Sequence, residues 1–248
     1  MRDRGPRHRR RRGYAFIQSN VAATAAAGDG PFAGERAAAS LRALGSLFPE
    51  PVHIVVAAGS TIRTVADLRG KRVALGAPDS GTRADALAIL SVHGLAPKDL
   101  AEARDESLEA AATRLEAGRL DALFATVGAP TRDLQRLATR SSIRLLLLYG
   151  AAVARLLAQH PGLVRLRLPA HTYPGQQQDV TTIAATALLV THSDVPEAEA
   201  ELVLRLMFEA PGLAAAGSAQ GAKIAKRSGL RGVTIPMHPA ASRFFAAP

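Results

Sequence analysis

The stretch Val73-Ala74-Leu75-Gly76-Ala77-Pro78-Asp79-Ser80-Gly81-Thr82-Arg83, continued by Ala84-Asp85-Ala86-Leu87-Ala88-Ile89-Leu90, decides how the chain is read. An apolar run of strand character breaks into a Gly/Pro/Ser loop, and that loop opens an alanine-rich helix. Ser80 or Asp79 is placed to cap the helix, so its first backbone N–H groups point into the loop. A helix start of this kind attracts a small carboxylate or phosphate through unpaired donors and the positive end of the dipole. The spacing Gly76-x-x-x-x-Gly81 imitates a nucleotide phosphate loop, but Thr82-Arg83 stands where Lys and Ser/Thr belong, which argues against a nucleotide. On this segment alone an ordinary strand-to-helix turn is the simpler reading.

Working outward, the pattern repeats. Strands are expected over residues 14–17, 41–47, 51–57, 72–76, 120–127, 143–148, 163–168 and 181–190, with a turn at Phe48-Pro49-Glu50-Pro51. Helices are expected over 21–27, 82–93 (stopped by Gly94), 108–117, 133–138, 153–160 and 196–208. Strands alternating with helices predict an α/β architecture with mainly parallel sheets. In such sheets ligands sit beyond the carboxyl ends of strands, near topological switch points. Three loops follow a strand and precede a helix: Gln18-Ser19-Asn20, residues 77–83, and residues 128–131 from Gly128 to Thr131. All three are expected to face one crevice.

Composition sets the outer bounds. With 248 residues, 48% hydrophobic and 21% charged, the chain is of ordinary globular composition and long enough for one large core or two smaller ones. There is no cysteine, which excludes disulfides, thiolate nucleophiles and zinc–sulfur sites. The net charge of +10 is concentrated at one end, where seven arginines and one aspartate fall within residues 1–12. No aromatic platform accompanies this arm, so it reads as a disordered tail over residues 1–13 rather than a nucleic-acid module. Arg-Arg before Gly13-Tyr14-Ala15-Phe16-Ile17 imitates a secretion signal, but Gln18-Ser19-Asn20 interrupts its apolar segment, leaving no usable signal peptide. No run is long enough to span a membrane.

Catalytic chemistry is missing. The seven histidines include no pair at metal-ligand spacing, and Gly217-Ser218-Ala219-Gln220-Gly221 has alanine where a nucleophile elbow needs serine. No metal, no cofactor and no catalytic trio is expected.

Several phrases occurring together carry a family resemblance. They are Ala15-Phe16-Ile17-Gln18-Ser19-Asn20-Val21, Phe48-Pro49-Glu50-Pro51-Val52-His53, Asp67-Leu68-Arg69-Gly70-Lys71-Arg72-Val73, and Gly76-x-Pro78-x-Ser80-Gly81-Thr82-Arg83. Gly128-x-Pro130-Thr131, Tyr173-Pro174-Gly175-Gln176, Asp179-Val180-Thr181-Thr182 and Ile235-Pro236-Met237-His238-Pro239 follow in order. The chain resembles the TAXI family, the extracytoplasmic solute receptors of tripartite (TRAP) transporters, from about residue 14 to 245. The resemblance implies a two-lobed, type II periplasmic-binding-protein fold, with residues 14–70 and 181–248 in one lobe and 71–180 in the other. It implies a monomeric periplasmic receptor, not an enzyme, that clamps a small carboxylate, dicarboxylate or amino acid such as glutamate between lobes. Delivery would be to a TRAP permease.

Carried over by position, Gln18, Ser19, Asn20, Ser80, Gly81, Thr82, Arg83, Gly128, Thr131 and Tyr173 would line the site. Arg83 would pair with a distal carboxylate and the Tyr173 hydroxyl would reach the solute. Asn20 stands where the family usually has Asp, and Asp79 where it often has glycine. The resemblance also implies a secretion signal and a strand, glycine-rich loop and helix ahead of Tyr14, so the chain is expected to be N-terminally truncated. The rival readings are a truncated or mis-started fragment that does not bind, and an intracellular effector-binding domain of the same fold.

Overall fold

Period-two alternation in the strands and sharply capped helices produce two packed bodies that share two long strands. The computed structural model describes residues 13–29, 32–33, 38–210 and 219–247; the arginine-rich arm lies outside them except for Gly13. The strands are β1 (Tyr14–Gln18), β2 (Leu41–Ala57), β3 (Arg72–Ala74), β4 (Glu102–Arg104), β5 (Ala122–Thr126), β6 (Ile143–Leu145), β7 (Val164–Leu168) and β8 (Val180–His192). The helices are α1 (Ser19–Ala27), α2 (Gly81–Val92), α3 (Leu108–Glu116), α4 (Arg132–Arg140), α5 (Gly150–Gln159), α6 (Glu197–Phe208) and α7 (Pro239–Ala246). Among the described residues no helix is long and apolar enough to cross a membrane.

The turn expected at Phe48-Pro49-Glu50-Pro51 does not form. β2 runs straight through it, with Phe48, Pro49, Glu50 and Pro51 opposite Ala187, Thr186, Ala185 and Ala184 of β8. Pro51 is tolerated because its carbonyl faces Val127 N–H on the β5 side, just beyond the last β2–β5 pair. Its missing N–H therefore costs no rung of the β8 ladder.

At this point β2 changes partners. Residues 41–51 pair with β8, then residues 52–56 pair with β5 and 55–57 with β6. The sheet order is β1-β8-β2-β5-β3-β4, with β6 on β2 and β7 on β8. Parallel pairing joins β4, β3 and β5, and every other strand pair is antiparallel. The long strands β2 and β8 impose that mixture, because they run past each other in opposite directions through both bodies.

Alternation along β2 shows where the second body begins. Val52, Ile54 and Val56 face a core with α2 and α5 (Ala86, Ile89, Leu90, Val153 and Leu156). Val55 faces the opposite core with α3 and α4 (Ala111, Leu115, Leu134 and Leu137). Ile62, Val65 and Leu68 pack in the same core as Val73 and Leu75. Residues 52–68, expected in the first lobe with residues 14–51, thus contribute to the core that packs α2 and α5. The first lobe packs α6 and α7 through Leu204, Ala241 and Phe244 on one side, and α1 through Ala22 beneath Leu188 and Val190 on the other.

Capping follows the sequence. Ser80 Oγ accepts the Arg83 N–H at 3.2 Å, so Ser80 rather than Asp79 caps α2. Ser107 caps α3 in the same way, and His238 Nδ1 accepts from Ala240 ahead of α7.

Candidate functional site

The expected Gln18-Ser19-Asn20 loop is instead a strand end running directly into a helix: Gln18 closes β1, and Ser19 and Asn20 form the first turn of α1. The consequence is a buried polar junction between the lobes. Asn20 Nδ2 donates to Asp85 Oδ1 at 2.5 Å, and Thr126 Oγ1 donates to Asp85 Oδ2 at 2.8 Å. The Thr126 N–H donates to Thr82 Oγ1 at 3.0 Å, and Gln18 Nε2 donates to the Thr126 carbonyl at 3.3 Å. Ser19 Oγ donates to the Gly162 carbonyl at 2.6 Å and accepts the Thr186 N–H at 2.9 Å. Three consecutive residues of the first lobe thus grip the mouths of α2 and β5 and the turn before β7.

Glycine permits the closest of these approaches. A Cβ on Gly81 would lie 1.3 Å from Gln18 Oε1, so no other residue fits there without expelling Gln18.

Beside the junction, α1 and α2 enclose a cavity of about 570 Å³ whose walls include Asn20, Asp79, Ser80, Arg83, Asp85 and His160, with Phe32 and Leu87 supplying apolar surface. Its electrostatics are mixed. Burial pushes the Asp85 carboxyl up to about 7, and the Glu50 carboxylate adds to the shift. Glu50 is itself raised by burial, and burial holds His160 below the usual imidazole range. Asn20 Oδ1 is buried and accepts no hydrogen bond among the described residues. Arg83 is committed elsewhere, its Nε donating to Asp105 Oδ1 at 2.8 Å in a half-exposed pair. No group of three or more His, Asp or Glu is placed to hold a metal among the described residues.

The remaining predicted positions form a separate cluster. Gly128 lies against the Gln220 side chain, which also donates to the Pro130 carbonyl at 3.2 Å, and Lys223 Nζ donates to the Ala129 carbonyl. The 128–131 loop is thereby strapped to the C-terminal segment of the first lobe. Tyr173 is only 2% exposed, and its hydroxyl stands 2.9 Å from His53 Nε2. Because His53 Nδ1 lies 3.1 Å from the Ala125 carbonyl, Nδ1 carries the proton and Nε2 accepts from Tyr173. Thr131 N–H donates to the same hydroxyl. Burial lowers His53 to about 4, keeping it neutral.

The Tyr173 hydroxyl, expected to reach a solute, is paired here with His53 and fastens β2 to the 128–131 loop. Tyr173→Phe leaves His53 Nε2 and the Thr131 N–H without partners. It is expected to lower unfolding stability by about 1–3 kcal/mol in urea melts, with solute binding retained.

The sequence-based reading passed over Asp85, Thr126 and His160. Asp85 carried a legible signal, being the lone carboxylate among the buried α2 positions Asp85, Ala86, Ile89 and Leu90.

Residues 8–246 match the NMT1-like family. The chain belongs to the NMT1-like family. This NMT1-like chain is similar in structure to a Xanthomonas citri protein solved with ATP (TM-score 0.52, 11% identity, 94% of this chain and 74% of the other). It is similar also to a Bordetella bronchiseptica RB50 protein (TM-score 0.51, 15% identity, 94% and 63%). An alkanesulfonate-binding protein of Xanthomonas axonopodis pv. citri bound to MOPS aligns at TM-score 0.47 and 22% identity, over 94% and 65%. The NMT1-like chain therefore spans less than two thirds of the length of the last two. Its architecture is a mixed α/β fold of two bodies that share β2 and β8.

Proposed function

We propose that this chain is an extracytoplasmic solute receptor that holds a small amino acid or carboxylate between its lobes and delivers it to a TRAP permease. The observation that carries the reading is the cavity between α1 and α2, where the capped start of one lobe's helix meets the other lobe's Asn20. Asn20, Ser80 and Arg83 form part of its wall, while Gln18, Ser19, Gly81 and Thr82 belong to the adjoining junction. The family resemblance adds the periplasmic setting and the permease; loop chemistry alone reaches only a binding crevice.

Charge favours a zwitterion over a dianion. Asp79 and Asp85 both line the cavity and Arg83 already has a carboxylate partner, so a dicarboxylate would meet net repulsion. A solute ammonium is suited by Asp85 and the buried Asn20 Oδ1, and its carboxylate by the N-terminal turn of α2. Closure would follow from bending β2 and β8, the strands shared by the lobes.

Thermal unfolding in the presence of L-glutamate, L-glutamine, L-alanine, succinate and malate tests the reading. A ligand at 100-fold over its Kd adds about 2.7 kcal/mol of stability, a rise of several degrees. At least one amino acid is expected to produce it, with succinate and malate producing less. Flat melting temperatures across the series would refute the receptor assignment.

A further inference from the structure

Apart from the lining of the α1–α2 cavity, two arginines converge without an ion-pair partner among the described residues. Arg63 Nη1 donates to the Ser60 carbonyl, and Arg144 Nη2 donates to that same oxygen at 3.0 Å and to the Ile62 carbonyl at 2.8 Å. Two guanidinium groups converging on one carbonyl oxygen lie within a few ångströms of each other. Among the described residues neither forms an ion pair.

The nearby carboxylates are already engaged. Asp67 accepts from the Arg63 and Thr64 N–H groups and from Thr64 Oγ1. Asp179 takes the Ala170 N–H and Arg167. The repulsion is felt: burial and then the Arg63 charge hold Arg144 below the usual guanidinium range. Each fork keeps most of its five donors for another partner.

Both arginines line a cavity of about 510 Å³, where Leu145, Leu147, Pro174 and Val180 supply apolar surface beside Gln176, Gln177, Gln178 and Asp179. Leu147 is 45% exposed there. We infer that this cavity is a second binding site, distinct from the interlobe cavity, for a small organic anion with an apolar body. The acidic head would be gripped bidentately by Arg63 and Arg144, and the body laid on Leu145 and Leu147.

The test uses 2-naphthoate as probe on the full chain, with 2-naphthol and acetate as the neutral and body-less controls. Isothermal titration is expected to give a sub-millimolar Kd for 2-naphthoate and at least tenfold weaker binding for each control. Arg63→Gln with Arg144→Gln is expected to weaken 2-naphthoate at least tenfold, and the Lys/Lys pair, which keeps charge but loses the forks, by an intermediate factor. In the unmodified chain, amide shifts on titration are expected at residues 143–147 and 174–180 and not at 80–85. That mapping decides the matter even where the glutamine variant does not fold. No binding by the unmodified chain, shifts centred on 80–85, or equal affinity for 2-naphthol would overturn the proposal.

Discussion

Asp85→Asn is expected to remove a slope in the pH dependence of stability between about pH 4 and pH 7 and to make the protein more stable than the parent at pH 8. The carboxyl of Asp85 is pushed from its ordinary 3.8 to about 7 by burial, with Glu50 contributing. Below pH 4 the group is protonated in both folded and unfolded chains, so no free energy depends on it. As the pH rises from 4 to 7 the unfolded chain ionises first and the folded one keeps its proton. The folded state is therefore disfavoured by about 1.4 kcal/mol per pH unit over that window.

Above pH 7 both forms are ionised and the loss, on the order of a few kcal/mol, is complete. Asparagine cannot ionise. Urea unfolding of both proteins from pH 4 to pH 8.5 measures the difference, and taking the difference cancels the other titrating groups. Parallel curves would mean that Asp85 is not the buried acid described. The same substitution removes the negative partner of a solute ammonium, so amino-acid binding is expected to fall along with the slope.

Gly162→Ala is expected to be nearly as damaging, for a steric reason. A Cβ at Gly162 would stand 2.8 Å from Asn20 N and 2.9 Å from the Ser19 carbonyl carbon and oxygen, all backbone atoms that cannot swing aside. The first turn of α1 must lift, and the Ser19 hydrogen bonds to the Gly162 carbonyl and the Thr186 N–H lengthen with it. Overpacking of this kind costs about 1–3 kcal/mol, and Gly162→Val should exceed it. Because Asn20 rides on the same turn, solute affinity is expected to drop in parallel. A change within about 0.5 kcal/mol, the size of an ordinary surface substitution, would show that α1 is not docked on this turn.

Local signals made much of this molecule legible in its sequence. α2 begins behind Ser80 and stops before Gly94 as its capping serine and glycine require. Of the three loops or turns singled out, the first two are bonded to each other through Thr126 and the third is strapped to Gln220. What escaped was decided by distant partners.

Pro49 and Pro51 look like turn residues, and only the β8 strand opposite them reveals a continuous β2. Ser19 and Asn20 favour loops by propensity, yet packing of Ala22 beneath β8 keeps them helical. Tyr173 enters the expected site by family resemblance alone. Its partner, His53, is 120 positions away in the chain, and no spacing argument connects them. The change of strand partner midway along β2 is likewise a property of the sheet rather than of any residue.

The absence of native cysteine makes the most direct test clean, because two introduced thiols carry the only labels. Spin labels at Glu116→Cys on α3 and Ala198→Cys on α6, both exposed and on opposite lobes, report the interlobe distance by pulsed electron resonance. Adding the amino acid that gives the largest melting shift is expected to shorten and narrow the distance distribution, and Asp85→Asn to suppress that response. An identical distribution with and without every amino acid in the series would contradict a cleft that closes on its solute.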